Sequence, residues 1–451
     1  LYFFDATNPE KLNTDLRRAI QSTTETPNIN ATANPNLPFV GASLGKQIYA
    51  GKFQPPKTGG AVWPGDLLMY GTREVNGQTI ILDKTGAQAT VLDASTAQWS
   101  AKDALLYARL WNARKLYTRI PGGTALKSFT DTGTAYSDAT NGLQKYVATS
   151  LTAGSAAQKA VIQFASGGDT VKGPYDADGR PTANRVNIMG DIINSAPAAL
   201  EYQWSDVSAR LTPRLAAVGG NRFRLILVGT NQGWLHAFGE VTKTTTLAAP
   251  NPNAGQTIIE GAVDELWSFM PTDFLANLNY ITVPNNPHRF MVDGSPAMYH
   301  LDLPPTGGGS GNGVVDSTER AIAVIGLRKG GRSYYALDIH DPFTPSLQWT
   351  LVPDEAASFP STRILSGGPA LTSVTDALAK WGFSTCTPAF GRIQFNSVLR
   401  DAVFLGGGFS VPEVEASFPD TSGNPTPLGR SVMALDVYSG AVLAVKDLTE
   451  V

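Results

Sequence analysis

Cysteine is almost absent from this sequence of 451 residues, with Cys386 as its single example. One cysteine excludes an internal disulfide and any metal site built from several thiolates. Charged residues are scarce too, at 16% of the chain, and the net charge is only −3. This charge balance provides no electrostatic basis for binding nucleic acid, so nucleic acid is not expected as a partner.

Long apolar runs are also missing. No run approaches the roughly 20 residues that a helix needs to cross a bilayer, so no transmembrane segment is predicted. The chain begins Leu-Tyr-Phe-Phe, without an initiator methionine or a signal peptide, and we expect it to be an internal fragment of a longer protein. Glycine (45) and proline (30) are abundant, which is typical of an all-β protein with many turns.

A unit of four apolar runs separated by turn residues recurs three times. The clearest copies span 188–270, 290–350 and 385–446. In the first copy the runs are 192–200, 225–228, 234–238 and 266–269. The order and spacing of these runs predict four-stranded blades of a modified β-propeller.

The spacing of the copies supports this interpretation. Alanines 237, 336 and 434 of the third runs recur at intervals of 99 and 98 residues, and prolines 197, 296 and 388 of the first runs at 99 and 92. This period is about twice that of an ordinary blade, so each repeat is expected to carry long insertions.

The chain before the repeats divides into three parts. Residues 1–24 read as a strand and a helix, since Pro9 suits the first helical position and Leu12, Leu16 and Ile20 share one face. Residues 25–45, rich in Thr, Asn and Pro, are predicted to be a linker, and the propeller is expected over 46–451. Further strands are predicted at 47–51, 65–71, 79–82 and 89–92, helices at 101–117 and 156–164, and exposed insertions at 304–312 and 410–427.

Five motifs in order resemble the C-terminal region of the PilY family of type IV pilus tip adhesins and biogenesis factors. They are GDIINSAP (190–197), VGTNQGWLHAF (228–238), ELWSF (265–269), HRFMVDGSP (288–296) and GGRSYYALD (330–338). Residues 1–24 are similar to the last strand and helix of the von Willebrand factor A-like domain that often precedes the propeller in that family. The resemblance is clearest over 188–446.

The resemblance implies a non-enzymatic, extracellular protein at the pilus tip or cell surface. It implies a role in pilus assembly with minor pilins, in adhesion to host or abiotic ligands, and in twitching motility. It also implies a Ca²⁺ site, although the family's usual calcium loop would follow Val451. No catalytic or cofactor-binding residue is predicted within this chain.

Two loops offer oxygen ligands that could hold calcium. Asp176 and Asp178 lie close together in the polar segment 166–187, and Asn312, Asp316 and Glu319 form a looser set. Neither set follows the alternating twelve-residue pattern of a calcium loop, so solvated turns are the favoured interpretation of both.

Two other functions stay open from the sequence. Quinone-dependent dehydrogenases have blades of similar pattern, but many use adjacent cysteines, which this chain lacks. A glycan-binding propeller is the other alternative, with Trp234, Trp267 and Trp349 as potential sugar platforms. Their positions within repeat strands, which match for the last two, favour packing between blades. The four histidines show no partners at suitable spacing, and Cys386 is interpreted as a small buried residue.

Overall fold

Four antiparallel sheets follow one another along the chain, which confirms the predicted mainly β class. The computed structural model describes residues 30–32, 47–56, 59–75, 78–304, 308–309, 311–410 and 428–448. We number the sheets as blades 1 to 4. The predicted strand and helix of residues 1–24 and most of the insertion at 410–427 lie outside the described residues.

Blade 1 contains five strands. They are β1 (Asn30–Thr32), β2 (Gln47–Phe53), β3 (Gly65–Val75), β4 (Gln78–Leu82) and β5 (Trp99–Ser100). The sheet order is β1-β2-β3-β4, and β5 pairs with β3. Strand β1 falls within the segment expected to be a linker. The strand predicted at 89–92 is wrong, because pairing ends with a bridge between Leu82 and Gln88 and the chain bends over the segment that follows.

Blade 2 has six strands in the order β7-β6-β11-β10-β9-β8. They are β6 (Leu116–Thr118), β7 (Lys127–Ser128), β8 (Ala198–Tyr202), β9 (Arg222–Gly229), β10 (Leu235–Thr246) and β11 (Thr257–Met270). Strands β8 to β11 form the predicted four-stranded unit. Strand β6, from the connection between β5 and β8, pairs parallel with β11 and covers the outer edge of this unit.

Blades 3 and 4 each have four strands in chain order. Blade 3 comprises β12 (Ala297–Leu301), β13 (Arg320–Gly326), β14 (Tyr334–Asp338) and β15 (Ser346–Leu351). Blade 4 comprises β16 (Ala389–Phe395), β17 (Val398–Gly406), β18 (Ser431–Asp436) and β19 (Val442–Asp447).

The sequence repeat is also a repeat of strand register. Ala237 lies opposite Trp267, and Ala336 lies opposite Trp349. Ala434, by contrast, lies opposite Ala444. A β-bulge follows each of the three third-strand alanines. The predicted repeat is therefore confirmed down to the position of its irregularity.

Blades pack face to face in chain order. Buried side chains such as Trp99 and Phe238 join blades 1 and 2. A larger cluster joins blades 2 and 3, and another, which contains Trp349 and Leu435, joins blades 3 and 4. The fold is a modified β-propeller, and among the described residues no such cluster joins blade 4 back to blade 1.

Short helices lie in the connections. They are α1 (Ala101–Tyr107), α2 (Gly133–Ser137), α3 (Ala156–Ser166), α4 (Trp204–Val207), α5 (Pro213–Ala216) and α6 (Leu371–Ala379). The 3₁₀ turns are Trp111–Ala113, Leu143–Lys145, Ser208–Arg210, Thr272–Phe274, Leu278–Thr282, Arg328–Gly330, Pro353–Ser358 and Ser361–Arg363. In the part of the chain described, none of these helices has the length and apolar character that a bilayer span requires.

The two predicted helices had different outcomes. The helix expected at 156–164 is confirmed as α3, which Ser155 caps by accepting a hydrogen bond from the Gln158 N–H and which ends at Gly167 with φ of 108°. The helix expected at 101–117 is wrong beyond Tyr107. The chain there makes a 3₁₀ turn and then strand β6, because pairing with β11 outweighs helical propensity.

Candidate functional site

Three segments lead into the first strands of blades 2, 3 and 4. These lead-in segments are residues 190–197, 291–296 and 384–388, and they carry the Ser-Pro part of the repeated motif. Residues 192–197, 291–296 and 387–388 of these segments were predicted to be the starts of strands, but regular pairing starts only at Ala198, Ala297 and Ala389. A proline has no N–H to give to a ladder, so the ladder starts after each proline and the lead-in side chains are free for other contacts.

Side chains of the lead-in segments join blade 2 to blade 3. Asn194 Nδ2 donates to both carboxylate oxygens of Asp293, at 2.9 and 3.0 Å. The backbone N–H of Ala196 donates to Ser295 Oγ at 2.9 Å. Arg328 Nη1 donates to Asp293 Oδ2 at 3.0 Å. Burial raises the pKa of Asp293, and the hydrogen bonds from Asn194 and Arg328 oppose that effect.

The lead-in segment of blade 4 is held by blade 3 in a similar way. Ser384 Oγ accepts from the Leu327 N–H at 2.7 Å and donates to the Gly331 carbonyl at 3.0 Å. The blade 3 segment also approaches its own sheet closely, since a Cβ on Gly294 would lie 2.0 Å from the Gly326 carbonyl oxygen. Glycine is therefore required at position 294 by space alone.

Asp191 extends these contacts towards blade 1. Its Oδ2 accepts from Asn231 Nδ2 at 2.7 Å and lies 3.0 Å from His288 Nε2. The His288 ring stacks on Trp63 of blade 1, with ring centroids 4.0 Å apart. Residues of three PilY-like motifs, 190–197, 228–238 and 288–296, thus meet at the Asp191 carboxylate.

A polar cavity of about 270 Å³ lies where blades 2, 3 and 4 meet. Asn194, Ser295, Arg328 and the segment 384–387 contribute to its lining. Arg328 has a φ of 53°, a left-handed conformation that is unfavourable for a residue other than glycine. Hydroxyl, amide and guanidinium groups suit hydrogen bonding to polar or anionic ligands. The interpretation of Cys386 as buried is wrong, because it is exposed beside this cavity.

A buried group of charges fixes the connection between β5 and β8 onto blade 2. Arg114 donates to Glu265 Oε2 and Oε1, at 2.6 and 2.7 Å, and to the Ser166 carbonyl at 2.7 Å. Glu265 Oε1 also lies 2.9 Å from His236 Nδ1. Although burial alone would raise it, the pKa of Glu265 is lowered because Arg114 and His236 stabilise the carboxylate.

The buried His236 is contacted at one ring nitrogen, Nδ1, by both Glu265 and Ser268. The three residues therefore do not have the geometry of a catalytic triad. Ser268 Oγ lies 3.0 Å from His236 Nδ1, the same nitrogen that faces Glu265. A nucleophilic triad uses the two ring nitrogens separately, and all three side chains here are fully buried. This group stabilises the blade, and burial lowers the pKa of His236.

Sequence reasoning missed the partners of the histidines. His236, His288 and His300 face Glu265, Asp191 and Glu319 respectively. The partners are separated by 29, 97 and 19 residues along the chain. A local spacing pattern could not have identified pairs that depend on strand pairing and on contacts between blades.

The predicted metal residues Asp176 and Asp178 form an exposed turn. Asp176 Oδ1 accepts from the backbone N–H groups of Asp178 and Arg180, at 3.0 and 2.8 Å. Likewise, Asn312 Oδ1 accepts from the Val314 N–H at 2.9 Å. These oxygens stabilise their own turns, as Asx turns do.

Glu319 is brought together with residues that were not predicted. Ligand atoms of His300, Asp302 and Glu319 lie within 4.8 Å of one another, whereas Asp316 Oδ1 accepts from Thr318 instead. Calcium prefers six to eight oxygen ligands, and an imidazole with two carboxylates suits zinc better. This group of three residues therefore does not suit calcium.

Fold and site together define a modified β-propeller whose blades are joined by polar lead-in segments. No family model matches the chain. The chain is 25% identical over 308 residues to the type IV pilus biogenesis factor PilY1 of Pseudomonas aeruginosa strain PAK, covering 62% of this chain and 22% of that protein. It is 24% identical over 362 residues to PilY1 of strain UCBPP-PA14, covering 77% and 26%.

A PilY1 homolog of Xylella fastidiosa strain Temecula1 is 30% identical over 172 residues, covering 37% of this chain and 12% of that protein. The predicted resemblance to PilY proteins is thus confirmed, and the chain spans about a quarter or less of the length of these relatives. Among solved structures, the Pseudomonas aeruginosa PilY1 C-terminal domain matches 52% of this chain and 34% of that chain, with 19% identity and a TM-score of 0.25.

Proposed function

We propose that this chain is the propeller region of a type IV pilus biogenesis factor. In this proposal it acts without catalysis at the pilus tip, in assembly with minor pilins and in adhesion, and it supports twitching motility. Residues 1–24 would be the end of a von Willebrand factor A-like domain, joined by a linker at 25–45 to a propeller over 46–451. The protein would be exported to the cell surface.

One observation carries the proposal. The motifs that resemble PilY proteins are the ones that join the blades, since Asp191 of the first motif meets His288 of the fourth, and Asn194 of the first meets Asp293 of the fourth. Similarity to PilY1 extends over 62–77% of the chain. The residues that carry the resemblance thus also make contacts that set how one blade sits on the next.

Surface adhesion is assigned in this proposal to the insertions. Residues 304–312 and 410–427 connect neighbouring strands within blades 3 and 4, so their length can change without altering the sheets. Loops presented by a rigid scaffold are common places for binding residues. Assembly with minor pilins would depend on the propeller itself.

The test measures where the protein is located and whether adhesion can be lost while pilus assembly is kept. Full-length, tagged protein should be labelled by immunogold at pilus ends, and the label should disappear in cells without pilus machinery. Pull-down from the same cells should recover minor pilins. Replacing 410–427 with a Gly-Ser linker of equal length should lower adhesion but leave surface pili unchanged. Label spread evenly through the periplasm of both strains would contradict the proposal.

A further inference from the structure

A second cavity, of about 340 Å³, lies on a different part of the molecule from the lead-in segments. Three parts of the chain enclose it: the turn after β6 (119–124), the segment from β15 through the following 3₁₀ turns (347–363), and Ser439 of the turn after β18. Its volume is at the lower end of the range for ligand pockets. We call it the Arg363 pocket.

Arg363 brings a positive charge to this pocket without an acidic partner. Nη1 donates to the Thr350 carbonyl at 2.6 Å, and Nε and Nη2 donate to the Gly440 carbonyl at 3.1 and 2.6 Å. These contacts use three of the five N–H groups of a guanidinium. Among the described residues, no carboxylate forms an ion pair with Arg363.

Arg119, the second arginine that lines the pocket, does have an acidic partner. Arg119 donates to both oxygens of Glu355, and the Gly122 N–H donates to Glu355 Oε1 at 3.0 Å. Glu355 is therefore occupied by Arg119. The three charged side chains that line the pocket, Arg119, Arg363 and Glu355, leave one net positive charge. Burial lowers the pKa of Arg363 to about 10, so the side chain remains protonated at neutral pH.

Apolar groups lie beside this charge. The central carbon of the Arg363 guanidinium lies over the Phe359 ring, 4.8 Å from its centroid. Leu347, Trp349 and Val352 also line the pocket. A guanidinium held in such surroundings without a counter-charge is costly, and a bound anion would offset that cost.

We propose that the Arg363 pocket binds the C-terminal carboxylate of a peptide whose last side chain is apolar. The carboxylate would pair with the remaining N–H groups of Arg363, and the side chain would contact Phe359 and Leu347. Ser358 and Thr124 at the rim offer hydroxyl groups for the peptide backbone. Capture of a terminal carboxylate is a recurring mode of peptide recognition. This inference is independent of the proposed pilus role.

The test uses the purified chain and a fluorescein-labelled peptide, Gly-Ser-Gly-Ala-Phe, read by fluorescence anisotropy. The free acid should bind about tenfold or more tightly than the same peptide with a C-terminal amide, because only the acid offers a charge-assisted pair. Arg363→Gln should remove this difference. Arg392→Gln is the matched control, because Arg392 is exposed and pairs with Asp401 of its own blade.

A second variant keeps the proposal testable if Arg363→Gln does not fold. Ser358→Trp fills the pocket from an exposed position and should abolish binding of the acid while circular dichroism stays unchanged. Equal binding of acid and amide, or full binding by Ser358→Trp, would overturn the proposal. Free N-acetylphenylalanine should bind more weakly than the peptide, and equal affinity would overturn the assignment of a peptide.

Discussion

Trp267 donates its indole N–H to the carbonyl oxygen of Pro342 at 2.9 Å, which links strand β11 of blade 2 to blade 3. Trp349 makes the equivalent contact one blade later, donating to the Val437 carbonyl at 2.8 Å. Both tryptophans lie opposite a third-strand alanine, and both are buried. The structure therefore confirms that they pack between blades, and such buried rings do not provide a sugar platform.

This repeated contact predicts equal losses of stability in two variants. Trp267→Phe and Trp349→Phe should each lower the free energy of unfolding by about 2 kcal/mol, since each leaves a buried carbonyl without its donor and removes buried volume. Guanidinium chloride unfolding followed by circular dichroism measures the change. Trp204→Phe, at a half-buried position in α4, should cost less. Losses no larger than that control would contradict a stabilising role for the indole contacts.

The buried pair of Glu265 and His236 predicts a loss of stability in acid. Burial lowers the pKa of His236, so below about pH 6.5 the unfolded chain takes up a proton that the folded chain does not. The pKa of Glu265 is also lowered, so its contribution is present above about pH 4.5 and is lost as pH falls further. The free energy of unfolding should therefore decrease from pH 7 to pH 4.

The size of this effect and its control can both be measured. Each group contributes a slope of up to about 1.4 kcal/mol per pH unit in its own range. In His236→Gln the slope between pH 6.5 and pH 5 should be smaller than in the original chain, while the decrease below pH 4.5 should remain. An unchanged slope above pH 5 would assign the acid sensitivity to other groups.

Sequence patterns predicted the blade strands well because each has an apolar run of its own. The run 334–338, for example, coincides with β14 (Tyr334–Asp338), and its alanine takes the repeated place opposite a tryptophan. The lead-in segments were misassigned because their apolar residues also look like strand residues. Their proline positions and the Ser195 hydroxyl, which accepts from the Gly229 N–H at 2.8 Å, direct them to other contacts instead.

The candidate site was harder to predict than the blades. Asp191 and His288 are 97 residues apart in sequence, and Asn194 and Asp293 are 99 residues apart. Such pairs form only when one blade packs on the next, so no local pattern marks them. The Arg363 pocket combines three distant segments in the same way.

The stability of the fold should depend on the Asp293 carboxylate. Asp293→Ala removes the acceptor for Asn194 and Arg328, and we expect a loss of about 2–3 kcal/mol in the free energy of unfolding. Asp176→Ala is the matched control, because Asp176 only stabilises an exposed turn. Urea unfolding of both variants measures the difference. A cost for Asp293→Ala as small as for Asp176→Ala would mean that the contact between blades 2 and 3 does not depend on this carboxylate.

Glu319 should stabilise its loop without any metal ion. Its two oxygens accept from the Leu303 N–H at 2.9 Å and the Asp316 N–H at 3.2 Å, and Oε2 lies 2.7 Å from His300 Nε2. Glu319→Ala removes the acceptor of the half-buried Leu303 N–H and the carboxylate that faces His300. It should therefore lower the free energy of unfolding by about 2–4 kcal/mol in buffer containing EDTA.

Asp302 provides the comparison for Glu319. It is exposed, and its Oδ2 accepts from the Gly313 N–H at 2.9 Å. Asp302→Ala should therefore cost less than about 1 kcal/mol under the same conditions. Thermal unfolding of both variants, with EDTA and again with added Zn²⁺ or Ca²⁺, separates the two roles of this group. A loss for Glu319→Ala that appears only when a divalent ion is present would show that the carboxylate acts as a ligand rather than as a hydrogen-bond acceptor for its own loop.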